Sequence, residues 1–362
     1  MSGDTHTIGC KHAGMACLLL LMALGTQAFA RKNVIVVKAG DSESLLSAIA
    51  EANRQNEDPK SKRLYVLIPD GTYDLGDKTL TPITGHRIAL VGQSMEGTII
   101  INAPDIENEG ISKTATLLNL GTDNYVQDLT LKNALDYYSS GAAGRAVCWQ
   151  DKGQHTIFKR VRMLSYQDTF YTFNEDSHHY LEDSEIHGTV DFICGAGDVY
   201  FRNCLLVTEK RSPTGKGRNV IAAPRTSKTQ WGFVFDHCTV RNDVSPFTYA
   251  RGWHTTPRCV WLSTRLENPE KLQPSRFDSI CLRSVDCLLK EYGTTDAEGR
   301  DITPRSNIIT LVCKEDSNTV ETIMSHEEAM AYSPKTVFPR WRPDLRVRKL
   351  QKKAKAAIKK NL

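Results

Sequence analysis

Short segments in which apolar and polar residues alternate dominate the chain, and long helical periodicity is scarce. Alternation with a period of two is typical of a half-buried β-strand. One such motif recurs: an aromatic or apolar residue, two mostly polar residues, a small or apolar residue, and then alternation. It occurs at residues 126–131, 158–163, 180–186, 201–206 and 235–240, and the starts at 158, 180 and 201 are 22 and 21 residues apart.

A strand repeat with a period near 22 residues predicts an all-β fold, a right-handed parallel β-helix whose coils stack about 4.8 Å apart. The clearest helical pattern lies ahead of the repeats, at residues 42–55, with apolar residues at Leu45, Leu46, Ile49 and Ala52. We expect this helix to cap the N-terminal end of the coil stack. A β-sandwich is the alternative, but its turns would recur every 8–12 residues or so.

The first 30 residues differ from the rest. An apolar run at residues 15–30 ends in an Ala-x-Ala pattern and follows Lys11 and His12, which is typical of a cleaved signal peptide. The alternative is a buried N-terminal helix. We therefore expect a signal peptide at residues 1–30 and a secreted or periplasmic location. No later segment is apolar for long enough to span a bilayer.

Charge is unevenly distributed along the chain. Residues 346–362 carry eight Lys or Arg and no acid, and the net charge of +4 therefore leaves residues 31–345 at −4. We expect residues 31–345 to form the β-helix domain and residues 346–362 to form a basic C-terminal tail. Such a run is usually a solvated end, although apolar residues at 350, 354, 357 and 358 fall near helical spacing.

The cysteines do not suggest a metal centre. Ten are present, but none forms a Cys-x-x-Cys pair, so zinc and thioredoxin-like chemistry lack support. Cys204 and Cys238 occupy equivalent repeat positions and are expected to stack in the interior as free thiols. Residues 296–301 lack the ligand spacing of a calcium loop, and no nucleotide-binding motif is present. We expect no metal and no organic cofactor.

Two aspartates lie in apolar, strand-like segments at one-coil spacing. Asp168 in "YQDTFY" and Asp191 in "GTVDFICG" are 23 residues apart, and Arg145 precedes Asp168 by another 23. Aspartate is uncommon in strands. In a β-helix these three side chains would stack on adjacent coils, which favours a functional site over three separate structural roles.

Two carboxylates about 5 Å apart cannot both ionise cheaply, so one has a raised pKa and the other stays ionised. Such a pair suits two reactions. One is covalent attack on an ester carbonyl, and the other is retaining glycoside hydrolysis. The spacing does not separate them. Gln167, beside Asp168, offers an amide donor for an oxyanion, which would favour the ester.

The two aspartate motifs closely resemble the paired signatures of pectin methylesterases, carbohydrate esterases with a right-handed β-helix fold. Further segments that resemble the family are "IPDGTYDL" at residues 68–75, "ARGWHT" from residue 250 and the closing "WRP" from residue 341. The resemblance covers most of the chain after residue 30. It implies a monomeric enzyme that acts on pectic polysaccharide (methylated polygalacturonate), with no nucleic acid as a partner.

The resemblance also implies roles for individual residues. Asp191 corresponds to the nucleophile that attacks the methyl ester of galacturonate, and Asp168 to the general acid and base. Gln167 corresponds to the oxyanion donor. Arg251 corresponds to the residue that orients the nucleophile, and Trp253 to a platform for the sugar.

Three departures from the family pattern bear on activity. Arg145 stands where the family usually has a second glutamine, Cys194 replaces an aromatic residue, and Gly252 replaces the proline of Arg-Pro-Trp. We expect Arg145 to contact substrate. The departures keep rival functions open: a catalytically weakened pectin-binding protein, or an esterase or thioesterase for another acyl substrate. A pectate lyase would need calcium.

Overall fold

Stacked parallel strands make up most of the computed structural model, which describes residues 33–139, 144–213, 217–242, 245–254 and 256–362. The expected signal peptide at residues 1–30 lies outside the described residues. The strands are, in chain order, β1 (Val34–Val36), β2 (Leu64–Ile68), β3 (Gly71–Asp74), β4 (Thr81–Ile83), β5 (Ile88–Gly92), β6 (Thr98–Asn102), β7 (Leu117–Asn119), β8 (Tyr125–Asn133), β9 (Trp149–Asp151), β10 (Thr156–Leu164), β11 (Phe170–Thr172), β12 (His178–Glu182), β13 (Glu185–Gly188), β14 (Val190–Gly195), β15 (Asp198–Arg202), β16 (Leu205–Thr208), β17 (Asn219–Pro224), β18 (Phe233–Asp236), β19 (Thr239–Asn242), β20 (Phe247–Ala250), β21 (Arg258–Leu262), β22 (Arg265–Leu266), β23 (Leu288–Tyr292), β24 (Ile308–Cys313) and β25 (Asp316–Glu321).

The helices lie at the two ends of the chain. They are α1 (Ser42–Gln55), α2 (His326–Met330), α3 (Pro334–Val337) and α4 (Pro343–Asn361), and two single 3₁₀ turns occur at Ile106–Asn108 and Pro269–Lys271.

The strands form three rows that run along the stack. Row 1 is β1-β2-β5-β8-β10-β12-β15-β18-β21-β23, and row 3 is β4-β7-β9-β11-β14-β17-β20. Row 2 joins β3, β6, β13, β16, β19 and β22 through the long strands β8 and β10, which contribute to rows 1 and 2 alike. Pairing within the rows is parallel, whereas β24 and β25 form an antiparallel hairpin. Parallel strands joined by right-handed crossovers give the predicted right-handed parallel β-helix.

The repeated sequence motif marks the corner between rows 1 and 2. Within each copy one residue has a left-handed backbone, with φ of +50° to +54°: these are Asp128, Arg160, Asp183, Asn203 and His237. A single left-handed residue turns the chain sharply, and Asp and Asn tolerate this conformation well. The polar positions of the motif therefore lie at the corner, and the apolar positions on either side point into the core.

Aromatic rings stack from coil to coil inside the helix. The centroids of Phe201 and Phe235 are 4.5 Å apart, and those of Phe235 and Trp261 are 4.0 Å apart. Cys204 and Cys238 are buried in the same core, as expected from their equivalent repeat positions. All eight cysteines among the described residues are free thiols.

Helix α1 closes the N-terminal end of the stack, as predicted. The Asp41 carboxylate accepts a hydrogen bond from the backbone N–H of Ser44 (3.0 Å) and so caps the helix. The buried face comprises Leu45, Ala48, Ile49 and Ala52, whereas Leu46 is only partly buried. The apolar face of α1 thus covers the core where the first coil has no preceding neighbour.

The basic segment 346–362, expected to be a solvated end, instead forms most of α4, which packs against β2 and β10 of row 1. Val347 and Ala354 are buried and Leu350 is partly buried against row 1 side chains. The Arg346 guanidinium pairs with the Asp123 carboxylate at 3.1 Å. The other seven Lys and Arg of this segment are exposed. Burial of the apolar stripe overrides the repulsion between like charges.

A charge placed on the buried face of α4 should release the helix. Ala354 is fully buried, whereas Ala356 is exposed on the same helix. We expect Ala354→Asp to lower Tm by roughly 3 °C or more, because an unpaired buried carboxylate costs several kcal/mol. Trypsin should also cut after Lys352 and Lys353 sooner. Ala356→Asp adds the same charge and should change neither readout; equal effects of the two variants would contradict this packing.

Candidate active site

Row 3 brings Asp168 and Asp191 onto adjacent coils. Phe170 of β11 pairs with Ile193 of β14, so the parallel register sets the two aspartates side by side. The backbone N–H of Asp168 donates to the carbonyl of Val190 (3.3 Å). Both aspartates are buried, with 4% and 7% of their surface exposed. The one-coil spacing in the sequence therefore becomes direct proximity in the fold.

Neither aspartate has a regular strand backbone. The φ angles of Asp168 and Asp191 are +61° and +51°, in the left-handed region that Asp adopts more readily than most residues. The pairing of β14 with β17 also shifts register between Val190 and Ile193. The two aspartates thus occupy matching irregularities in successive coils, which explains why short acidic residues stand inside otherwise apolar segments.

A distant arginine grips one of the two carboxylates. Arg251 follows β20, two coils beyond β14, and its Nε and Nη2 donate to Oδ1 and Oδ2 of Asp191 at 2.9 and 2.5 Å. The backbone N–H of Arg251 donates to the carbonyl of Ala222 (3.0 Å), which fixes the segment to β17. Bidentate pairing of this kind orients a carboxylate and favours its ionised form.

Arg145 lies one residue out of the predicted register. Its backbone bridges to Gln167 rather than to Asp168, but its Nε still lies 3.9 Å from Oδ2 of Asp168. The guanidinium also donates to Glu109 at 2.8 Å, and Glu109 accepts from the Arg145 backbone N–H at 3.0 Å. Arg145 therefore joins the site while being held by an acid. Gln167 is partly exposed beside Asp168.

The two carboxyl groups differ in electrostatic support. Burial, followed by the charge of Asp191, raises the pKa of Asp168 well above its usual range, and Arg145 only partly opposes this rise. Burial also raises the pKa of Asp191, but the paired Arg251 guanidinium opposes it directly. When the pair shares one proton, that proton lies on Asp168, and Asp191 is the ionised member.

Cys194 lies against the acid of the pair. Its thiol donates to Oδ1 of Asp168 across 3.7 Å, and it is fully buried. Burial and the nearby Asp168 carboxyl group raise the pKa of this thiol well above its usual range. The residue that replaces the family's aromatic side chain is thus a neutral hydrogen-bond donor to Asp168.

Aromatic and cationic side chains cluster beside the pair. Trp253 lies 6.4 Å from Tyr171, ring centroid to ring centroid. The Arg225 guanidinium lies 5.9 Å from the Trp253 ring and 5.1 Å from the Phe173 ring, and the Lys152 ammonium is also 5.1 Å from Phe173. Phe173 is 39% exposed. An exposed aromatic ring flanked by cations is suited to a sugar that carries carboxylates.

Several of these residues were not predicted from the sequence. Glu109 and Arg225 lie on loops far along the chain from the aspartates, and the sequence gives no spacing that would link them to the pair. Phe173 follows Asp168 by only five residues, and its position just after β11 was a usable signal. Asp278, whose charge further raises the pKa of Asp191, is the fourth residue that sequence reasoning missed.

The described part of the chain contains no cluster of three or more His, Cys, Asp or Glu side chains that could hold a metal ion. Within the same residues, none of the helices has the length and apolar character needed to cross a membrane. The chemistry considered below therefore uses protein side chains only.

Solved structures with the same fold are carbohydrate esterases. A pectin methylesterase from carrot superposes with a TM-score of 0.64 at 20% identity, covering 84% of this chain and 92% of its own. A pectin methylesterase in complex with a hexasaccharide superposes with a TM-score of 0.64 at 23% identity, covering 85% and 98%. These similarities establish the architecture as the right-handed β-helix of that class of enzyme.

Sequence comparison identifies the family. The sequence model of the pectinesterase family matches residues 33–277, and the chain belongs to this family of carboxylic ester hydrolases. Probable pectinesterase 49 of Arabidopsis thaliana is 26% identical over 255 residues, 68% of this chain and 67% of the relative. A pectinesterase/pectinesterase inhibitor of Ficus pumila var. awkeotsang is 29% identical over 225 residues, 61% of this chain but only 38% of the relative.

The raised pKa of Asp168 predicts a stability cost at neutral pH. An acid whose pKa is higher in the folded state than in the unfolded state, where it is about 3.9, stabilises less as the pH rises through the folded value. We therefore expect Asp168→Asn to raise Tm by roughly 1–3 °C at pH 7.5 and to leave it unchanged at pH 4. Asp316→Asn, at an exposed hairpin position, is the control. A gain that persists at pH 4 would contradict the assigned protonation.

Proposed function

We propose that this protein is a pectin methylesterase that hydrolyses the C6 methyl esters of galacturonate in pectic polysaccharide to free carboxylate and methanol. The observation that carries the proposal is the buried pair of Asp168 and Asp191, of which only Asp191 is gripped by an arginine. One ionised and one protonated carboxyl group are what acyl transfer through a carboxylate nucleophile requires.

In the proposed mechanism Asp191 attacks the carbonyl carbon of the ester. The carbonyl oxygen takes up the negative charge, and the amide of Gln167 donates a hydrogen bond to it. The tetrahedral intermediate then collapses, the bond to the methoxy oxygen breaks, and Asp168 gives its proton to the departing methanol. This leaves an anhydride between Asp191 and the galacturonate.

Water completes the cycle. Asp168, now ionised, removes a proton from a water molecule that attacks the anhydride carbonyl. Collapse of the second tetrahedral intermediate releases the galacturonate carboxylate and returns Asp191 to its ionised form, with the proton again on Asp168. Arg251 orients Asp191 throughout, because two hydrogen bonds fix both of its oxygens.

Surface clefts near the pair support a long, acidic ligand. One cleft of about 510 Å³ includes Tyr137, Tyr166 and His187 in its lining, and Tyr166 precedes Asp168 by two residues. A second, of about 620 Å³, includes Phe173 and Arg225. Trp253 would stack on a sugar ring beside this second cleft. A polymer of methylated and free galacturonate fits such alternating aromatic and cationic surfaces. The expected signal peptide places the enzyme where it meets this substrate.

The nucleophile and the acid should each be indispensable. Asp191→Asn and Asp168→Asn should each lower methanol release from methylated pectin by roughly a hundredfold or more, because one removes the attacking group and the other the proton donor. Asp183→Asn, another left-handed aspartate at a corner of the coil, should retain activity. Near-normal methanol release by folded Asp191→Asn would contradict the mechanism. Pectin binding without methanol release by the unaltered chain would favour the weakened pectin-binding alternative.

Arg145 should favour substrates that carry free carboxylates. Its side chain is 40% exposed, and Glu109 occupies one of its donors. We expect the remaining donors to bind a neighbouring galacturonate carboxylate. Arg145→Gln should then lower kcat/KM more on partly de-esterified pectin than on fully methylated pectin. Asn or Gln substitution of Glu109 is the companion test, since it leaves the arginine in place. Equal losses on both substrates for Arg145→Gln would count against carboxylate binding.

A further inference from the structure

Two thiols lie in contact in the loop between the 3₁₀ turn Pro269–Lys271 and β23. The Sγ atoms of Cys281 and Cys287 are 3.6 Å apart. The two residues are buried, with 3% and 9% of their surface exposed. Cysteines whose sulfur atoms touch need only a small side-chain rotation to reach a disulfide bond length of about 2.05 Å. The catalytic mechanism uses neither residue.

This loop is fastened to the segment that carries Arg251 and Trp253. The backbone N–H of Asp278 donates to the carbonyl of Ala250, and that of Leu282 donates to the carbonyl of Gly252, both at 2.9 Å. The two hydrogen bonds flank Arg251 in the chain. Any change that stiffens the loop is therefore transmitted to the arginine that holds Asp191.

Gly252 fits against the two sulfur atoms. A Cβ atom at this position would lie 2.6 Å from Sγ of Cys287 and 3.1 Å from Sγ of Cys281, and the first distance is far below van der Waals contact. The space that a larger residue would fill is taken by the thiol pair. This explains why glycine stands between Arg251 and Trp253, and it ties the cysteines to the site residues by direct packing.

The pair is reachable from solvent and is chemically asymmetric. Cys287 lines a surface cleft of about 610 Å³ together with Arg258 and Lys290. The thiol of Cys287 donates a hydrogen bond that lowers the pKa of Cys281, and the same contact raises the pKa of Cys287. Thiol–disulfide exchange requires a thiolate and access for the oxidant.

We propose that Cys281 and Cys287 form a reversible disulfide by exchange with a disulfide-bearing oxidant, and that this bond braces the loop supporting Arg251. One cysteine thiolate attacks a sulfur of the oxidant and releases its first thiol, which gives a mixed disulfide. The other cysteine then attacks the sulfur of its partner and releases the second thiol. The two cysteines lose two protons and two electrons, and the oxidant is reduced to two thiols.

Peptide mapping tests the bond directly. Trypsin cleaves after Arg276, Arg283 and Lys290, so the two cysteines fall in separate peptides, residues 277–283 and 284–290. The full-length protein, first reduced, is incubated with oxidised glutathione, alkylated and digested without reductant. We expect these two peptides joined, with two hydrogens lost, and separated again by dithiothreitol.

A neighbouring cysteine provides the matched control. Cys313 lies on β24, beside the loop, since the Cys281 N–H donates to the carbonyl of Val312 (2.9 Å). Cys313→Ser should leave the linked peptides unchanged, whereas Cys281→Ser and Cys287→Ser should each abolish them. Full alkylation of Cys281 and Cys287 after oxidation would overturn the proposal. So would glutathione retained on one of them, or a link from Cys287 to Cys313.

Hydrogen exchange tests the bracing. Closing a short loop reduces local opening. The amides of Arg251 and Trp253, which donate to the carbonyls of Ala222 and Pro224, should therefore exchange at least twofold more slowly in the oxidised protein. Oxidised Cys281→Ser should show no slowing. A linked pair with unchanged exchange at these two amides would overturn the bracing role while leaving the proposed esterase function untouched.

Discussion

The parallel register between β11 and β14 is the constraint on which the site depends. Hydrogen bonds between these strands hold Asp168 and Asp191 side by side at a separation that neither residue can relax. Two buried acids so close together disfavour double ionisation, and the fold tolerates them because many coils bury aromatic and aliphatic side chains around them. The strand ladder therefore enforces the shared proton that the chemistry requires.

Charge is supplied to this pair from both directions along the stack. Arg145 reaches Asp168 from the preceding coil, and Arg251 reaches Asp191 from two coils ahead. The two arginines differ in geometry: one makes a bidentate pair, and the other sits at 3.9 Å and is shared with Glu109. This inequality assigns the roles of base and acid to two residues of the same type.

The period near 22 residues was enough to predict the β-helix, and the 23-residue spacing was enough to pair the aspartates, because both follow from contacts between successive coils. Arg145 was placed one residue out of register, since coils differ in length by a residue or two. Glu109 and Arg225 could not be found this way, because loops of variable length separate them from the pair. Helix α4 shows the opposite error: its apolar stripe was visible, but only tertiary burial decides whether like charges prevent docking.

The order of the coils has a consequence for how the protein fails. In a stack where each coil contacts only its neighbours, structure can fray from an end while the middle persists. Row 3 ends at β20, and Arg251 follows directly after it, whereas Asp168 and Asp191 lie three and two strands further in. Fraying at that end removes the arginine first and leaves two neighbouring acids without the cation that sets them apart. Heat inactivation of such an enzyme would precede the loss of its β-sheet signal, and it would reverse on cooling while the inner coils remain as a template.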